Sequence, residues 1–203
     1  MFIEKGISIY DFVCTISEGV DLFSPGLDRH HKRVTCIAYN IAMEMNLSVD
    51  DIQDIVLAAM LHDISLFSSG EEIKAEAIIS HGNELIQHTQ LDYRLMKNYE
   101  PLAKAVSLIR HYHACFDKSN PDMPMGSHII NLADKLSLLF DEHRDILSQF
   151  SEVFEKISQN QDLFNPDVFE AFRRLVPKVR KRPWNLNIIK DEIATLSKGV
   201  ASQ

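Results

Sequence analysis

Residues 30–64 read HHKRVTCIAYNIAMEMNLSVDDIQDIVLAAMLHDI, and their periodicity decides the fold. At about 100° per residue, Val34, Ile37, Ala38, Ile41 and Met45 fall on one stripe, which predicts a helix from about Asp28 to Met45. Ser48 and Asp51 have the spacing of a capping box and open a further helix. Its stripe is Ile52, Ile55, Val56 and Ala59, and it runs on to Asp63, with His62 on the flank. His30 and His31 fall about equally to either side of their own stripe, so periodicity does not choose between them.

The same period governs the rest of the chain. Ser8 with Asp11 predicts a capped helix to about Phe23, broken by Ser24-Pro25-Gly26. Its apolar face, Ile9, Phe12, Val13, Ile16 and Val20, suits the core or a dimer contact. A helix is expected from Gly70 through Ile79, ending near His81-Gly82, and another over about Asn83 to Leu95. Pro101 suits the first turn of a helix ending at "IRHYHACFD" (109–117). The loop "DKSNPDMPMG" precedes an apolar helix from Ser127 to about Phe140. Beyond residue 145, Asn165-Pro166 and Pro183 each open a further helix. β-branched alternating runs are absent, so the fold class is all-α. We read one helical domain in three parts: an N-terminal segment 1–26, a core 27–145 and C-terminal helices 146–203.

Composition narrows the function. A chain of 203 residues supports one substantial core. A net charge of −8 disfavours a nucleic-acid polymer as partner, since phosphate contacts need clustered cations. The one basic cluster, "RRLVPKVRKR" at 173–182, suits a solvated helix end as well as a binding patch. No apolar run approaches bilayer length and the N-terminus lacks a basic signal-peptide start, so a cytoplasmic protein with no membrane partner is expected. Cys14, Cys36 and Cys115 make no disulfide framework.

Nine histidines are the feature that needs a reason. Leu102, Ala105, Val106 and Ile109 point one helix inward; His113 continues that stripe, Tyr112 lies at its edge and His111 faces away. Asp134 sits among Ile129, Ile130, Leu132, Ala133, Leu136, Leu138, Leu139 and Phe140, where an ionised carboxylate is costly unless paired or bound to a metal. A single inward His is more often a hydrogen-bonded core residue than a ligand. Inward His or Asp residues near the ends of four separate helices point instead to a metal site of imidazole and carboxylate donors.

These segments resemble the HD superfamily of metal-dependent phosphohydrolases, and specifically its HD-GYP branch, over roughly residues 20–175. The carriers are His-x-x-Arg-Val at 30–34, the His62-Asp63 pair, "IISHGNELI" at 78–86, "IRHYHACFD", "MPMGSHIINLADKLSLL" at 123–139 and "LFNPDVFEAFRRL" at 163–175. The resemblance implies an HD-type helical bundle, with a core of about five helices plus N- and C-terminal helices. It selects His30 over His31, and it implies metal ligation by His30, His62, Asp63, His81, His113 and Asp134. Asp63 would bridge two metals and be the central catalytic residue. One or two divalent ions (Fe, Mn, Mg, Ni or Zn) are implied, with a metal-bound hydroxide attacking a phosphoester. The expected ligand is a phosphoester or nucleotide small molecule, with cyclic di-GMP the branch's own substrate.

The departures fall mostly on the second metal and on substrate recognition. After Asp117 the Gly-Tyr-Pro signature is replaced by Lys118-Ser119-Asn120-Pro121. Tyr112 stands where the branch has the first histidine of a pair, and Ala114 where it has an acid. Ile64-Ser65-Leu66 replaces Ile-Gly-Lys, and Gly26 stands where some members have Glu. Three readings therefore stay open: a phosphohydrolase or phosphodiesterase, a non-catalytic HD-GYP-like signalling or interaction module that binds metal or nucleotide, and a helical interaction domain whose polar core residues merely resemble the motif. A homodimer or a signalling protein is the macromolecular partner class expected.

Overall fold

A computed structural model describes residues 8–23, 29–65, 84–113, 116, 123–141 and 143–200. Every regular element among them is helical. Ser8 opens α1 (Ile9–Phe23) by accepting the Asp11 backbone N–H at 3.1 Å, as the capping-box spacing predicts. Arg29 is in the left-handed region (φ 58°), a conformation that cannot continue a helix, so α2 (His30–Glu44) starts at His30 rather than at Asp28. Ser48 caps α3 (Val49–Leu61) in the same way as Ser8 caps α1.

The helix predicted from Gly70 to Ile79 lies outside the described residues, as does His81. Then come α4 (Glu84–Met96) and α5 (Ala103–Ile109), the latter entered through a 3-10 turn containing Pro101. Next are α6 (Met125–Leu139), α7 (Ile146–Ser158), α8 (Pro166–Leu175) and α9 (Leu186–Val200). Asp145 caps α7, and Asn165 caps α8 with Pro166 at its first position.

Helix α2 is the axis of the bundle. It packs on α1, α3, α6, α8 and α9, and its buried residues run from His30 to Ala42. Buried apolar side chains from α1 to α9 form one cluster. Gly126 permits the close approach of α6: a Cβ there would stand 2.7 Å from Leu108 Cδ1 and 2.9 Å from Ile55 Cγ1. Among the described residues, no helix is long and apolar enough to cross a membrane.

Two sequence expectations need correction. On α1, Val13 and Val20 are buried and Ile9 and Ile16 pack against the core as expected, but Phe12 is 49% exposed and Tyr10 and Ser17 are buried with the stripe. The Tyr10 hydroxyl donates to the Leu186 carbonyl of α9 at 2.7 Å, which ties this side of α1 to the core. The helix leading to His113 ends at Ile109, and residues 110–113 form a turn. Asn131 Nδ2 donates to the Tyr112 carbonyl at 2.6 Å and Ser127 Oγ to that of Leu108 at 2.8 Å, drawing carbonyls of this segment to α6. Once the 100° advance stops, Tyr112 becomes fully buried and His113 only half-buried.

The basic cluster at 173–182 is largely spent inside the molecule. Arg174, Lys178 and Arg182 reach the Glu44 carboxylate at 3.5, 2.6 and 2.7 Å. Lys178 above all, with Arg182, holds the Glu44 pKa below the ordinary glutamate value against the opposing effect of burial. This set of ion pairs fastens the segment between α8 and α9 to the C-terminal end of α2.

Candidate metal centre

Three elements deliver four side chains to one buried point. His30 comes from the first turn of α2, His62 and Asp63 from the turn that ends α3, and Asp134 from the middle of α6. The short α2–α3 connection sets the two helices side by side, and α6 packs across both.

His30 Nε2 and His62 Nε2 are 3.3 Å apart. His62 Nε2 lies 3.3 Å from Asp63 Oδ2, and His30 Nε2 lies 3.3 Å from Asp134 Oδ1. The crossed distances, His30 to Asp63 and His62 to Asp134, are both 3.8 Å. All four ligand atoms lie within 4.8 Å of one another, and all four residues are buried. Donors held about 2.0–2.2 Å from a shared cation stand roughly 3–4 Å from each other, so this spacing fits one ion between them.

The hydrogen bonds behind the rings orient them. His62 Nδ1 lies 2.9 Å from the Ala59 carbonyl, which can only accept, so neutral His62 keeps its proton on Nδ1 and turns the Nε2 lone pair to the centre. His30 Nδ1 lies 3.2 Å from Ser137 Oγ, and that hydroxyl also accepts from Arg33 Nε at 3.3 Å. Arg33 therefore supports His30 from behind, which gives the His-x-x-Arg spacing a physical role.

Two carboxylates and two imidazoles so close together perturb one another. Burial works against charge on His62, yet Asp63 and Asp134 outweigh it and hold its pKa well above the ordinary histidine value. Burial alone would raise Asp134, but hydrogen bonding from His30 and His62 outweighs that and holds it well below the carboxylate range. The group is a buried, charge-bearing set of hard and borderline donors, suited to a divalent transition metal.

Tyr112 completes one side. Its hydroxyl donates a short hydrogen bond to Asp63 Oδ1, the oxygen that does not face His62. Burial first, then the charges of Asp63 and Asp134, push the phenol pKa well above its ordinary value, so it remains a donor. The Tyr112 ring packs edge-on against His62 and lies 4.0 Å from that of His113 between centroids.

Of the six ligands implied by sequence resemblance, His30, His62, Asp63 and Asp134 are brought together. His113 is described but lies outside this cluster, and His81 lies outside the described residues. Sequence reading missed two residues beside the cluster, Asp92 and Asp21, and left a third, His31, as a neighbour without a role. Asp92 of α4 is fully buried and its Oδ1 accepts the Ser65 backbone N–H at 2.6 Å, fixing the turn after Asp63. His31 and Asp21 pair at 2.6 Å beside the centre. A partly polar helix hides an inward Asp92, whereas the adjacency of His31 to His30 was visible and lacked only a partner.

An all-α bundle with a buried two-histidine, two-aspartate cluster, one His-Asp pair ending a helix, defines a class of metal-centre proteins. The HD domain family model matches residues 27–139, and the chain belongs to that family. The chain is also similar to a cyclic di-GMP phosphodiesterase of Thermotoga maritima, with 26% identity over 187 residues. That match covers 83% of this chain and 51% of the relative, so the chain spans about half of the relative's length. No solved structure matches it significantly.

Proposed function

We propose that this protein is a metal-dependent phosphohydrolase that hydrolyses a phosphoester of a nucleotide, with a cyclic dinucleotide as the first substrate to test. The observation that carries the reading is the four-donor cluster of His30, His62, Asp63 and Asp134. It lies within a chain of the HD domain family, and a relative of that chain is a cyclic di-GMP phosphodiesterase.

In this reading His30, His62, Asp63 and Asp134 hold the cation. A divalent ion bound there supplies Lewis-acid activation of water and neutralises charge on phosphoryl oxygens. The chain's own residues do the rest. Ala59 and Ser137 fix the two imidazoles with Nε2 inward, and Asp134 and Asp63 balance the positive charge of the loaded centre. Tyr112 fixes the Asp63 carboxylate plane and keeps Oδ1 engaged with a proton donor. His113 and His81 are proposed as donors to substrate or to a weaker second ion.

One observation favours a second reading, a module that binds metal or nucleotide without cleaving it. With Tyr112 donating to Asp63 Oδ1, one lone pair of that oxygen is engaged, which makes it a poorer bridge to a second cation. The two readings separate on activity. Protein purified without chelator is assayed with added Mn on an aryl phosphodiester and on cyclic di-GMP. Hydrolysis that disappears in Asp63→Ala supports the enzyme. Bound metal without hydrolysis of either substrate supports the module.

A further inference from the structure

His31 is fully buried beside the four clustered donors, and neither periodicity nor the family pattern gives it a role. Its ring centroid lies 5.1 Å from that of His62 and 5.5 Å from that of His30, and those two rings are 5.3 Å apart. The three imidazoles thus form a nearly equilateral group.

The three rings are also tethered alike. His62 Nδ1 is held by the Ala59 carbonyl, His30 Nδ1 by Ser137 and His31 Nδ1 by the Asp21 carboxylate at 2.6 Å. The same Asp21 oxygen accepts the His31 backbone N–H at 3.1 Å. An ionised Asp21 can only accept, so neutral His31 carries its proton on Nδ1 and an open lone pair on Nε2.

His31 Nε2 is buried and has no hydrogen-bond partner among the described residues. A buried acceptor left unmatched costs stability that an apolar side chain of similar size would not. A carboxylate behind a histidine whose far nitrogen is open is the arrangement metal-binding histidines commonly show. We propose that His31 is a further imidazole donor to the cation held by His30, His62, Asp63 and Asp134, oriented by Asp21 of α1. The inference rests on reading that cluster as a cation site. Nε2 is not one of the four tightly grouped atoms, so His31 would be a donor added to that set.

The test is a titration of the full chain with Mn, with affinity from calorimetry and coordinated imidazole nitrogens counted by pulsed electron paramagnetic resonance. The same measurements are made on His31→Ala and on Asp21→Asn, which keeps the side-chain shape if the larger change perturbs folding. The expected result is one fewer imidazole nitrogen in His31→Ala, with affinity lower by about 10–100-fold, and roughly a tenfold loss in Asp21→Asn. Wild-type protein that binds Mn with the same nitrogen count and affinity as both variants overturns the inference and leaves the cation site standing. Wild-type protein that binds no Mn overturns the cation site and the inference with it.

Discussion

The Asp63 carboxylate is divided between two environments: Oδ2 stands 3.3 Å from His62 Nε2, and Oδ1 accepts the hydroxyl of Tyr112. A carboxylate used in this way is oriented for one cation, with a neutral phenol where a second positive charge would otherwise sit. Metal analysis of protein purified without chelator is therefore expected to give about one transition metal per chain. Tyr112→His exchanges the donor hydroxyl for a nitrogen ligand and should move the content toward two. Unchanged content in that variant would show that Tyr112 does not hold the second position.

Tyr112→Phe removes only the hydroxyl. The ring still fills its buried space, but a buried carboxylate oxygen loses a charge-assisted bond. Denaturant unfolding of chelated protein should show a loss of about 1.5–3 kcal/mol. A change within a few tenths of a kcal/mol would mean that the hydrogen bond adds nothing net.

Removing the metal should make stability depend on pH in a defined direction. In metal-free protein the folded-state pKa of His62 is raised, so its contribution is present below the ordinary histidine value and lost as pH rises through the raised one. Asp134 is shifted down, so its contribution is present above the ordinary aspartate range and is lost in acid. Both shifts describe the same ion pairs and are not counted twice. Thermal melts of chelated protein from pH 5 to pH 9 should therefore fall toward the alkaline end. Loaded protein, in which the cation replaces the proton, should stay flat there and gain about 2.7 kcal/mol at a hundredfold excess over Kd. Parallel curves with and without chelator would contradict the coupling.

Asp134→Asn takes one negative charge out of the buried set while keeping its shape. Asp63 remains to balance the imidazoles, so the cost to metal-free protein should be near the lower end for a broken buried pair, about 3 kcal/mol. Metal affinity should fall together with stability. Retention of both would remove Asp134 from the centre.

At the opposite end of α2, Glu44→Gln leaves Arg174, Lys178 and Arg182 without their shared partner. These cations are substantially exposed, so each pair is worth little and the total loss should be about 1 kcal/mol. Unfolding at low and high salt checks the origin: the difference between Glu44→Gln and wild type should shrink as salt is raised.

Much of the helical layout was legible because local signals agreed with burial. Ser8, Ser48 and Asn165 announced their helices, and the Asp134 helix could hardly be anything but buried. The donor cluster was legible in part. Asp63 and Asp134 violate the apolar pattern around them, and a violation of that kind stands out. His30 and His31 were indistinguishable by periodicity because both are buried, one in the donor cluster and the other against Asp21. Tyr112 was misplaced because the helical advance was carried past Ile109, where carbonyls are drawn off by Ser127 and Asn131, residues 15 or more positions away in sequence. Such long-range bonds leave no local trace.

The Asp21–His31 pair joins α1 to the segment that the family model matches. The family match begins at residue 27, while Asp21 lies before it in α1. A fragment trimmed to the matched range keeps all four clustered donors, yet strips the tether from an imidazole locked in the core. His31 Nδ1 and the His31 backbone N–H would then lose their carboxylate acceptor, at about 1–3 kcal/mol for the ring nitrogen wherever water does not replace it. A fragment that is to keep this hydrogen bond must begin at least six residues upstream of the first residue in the family match.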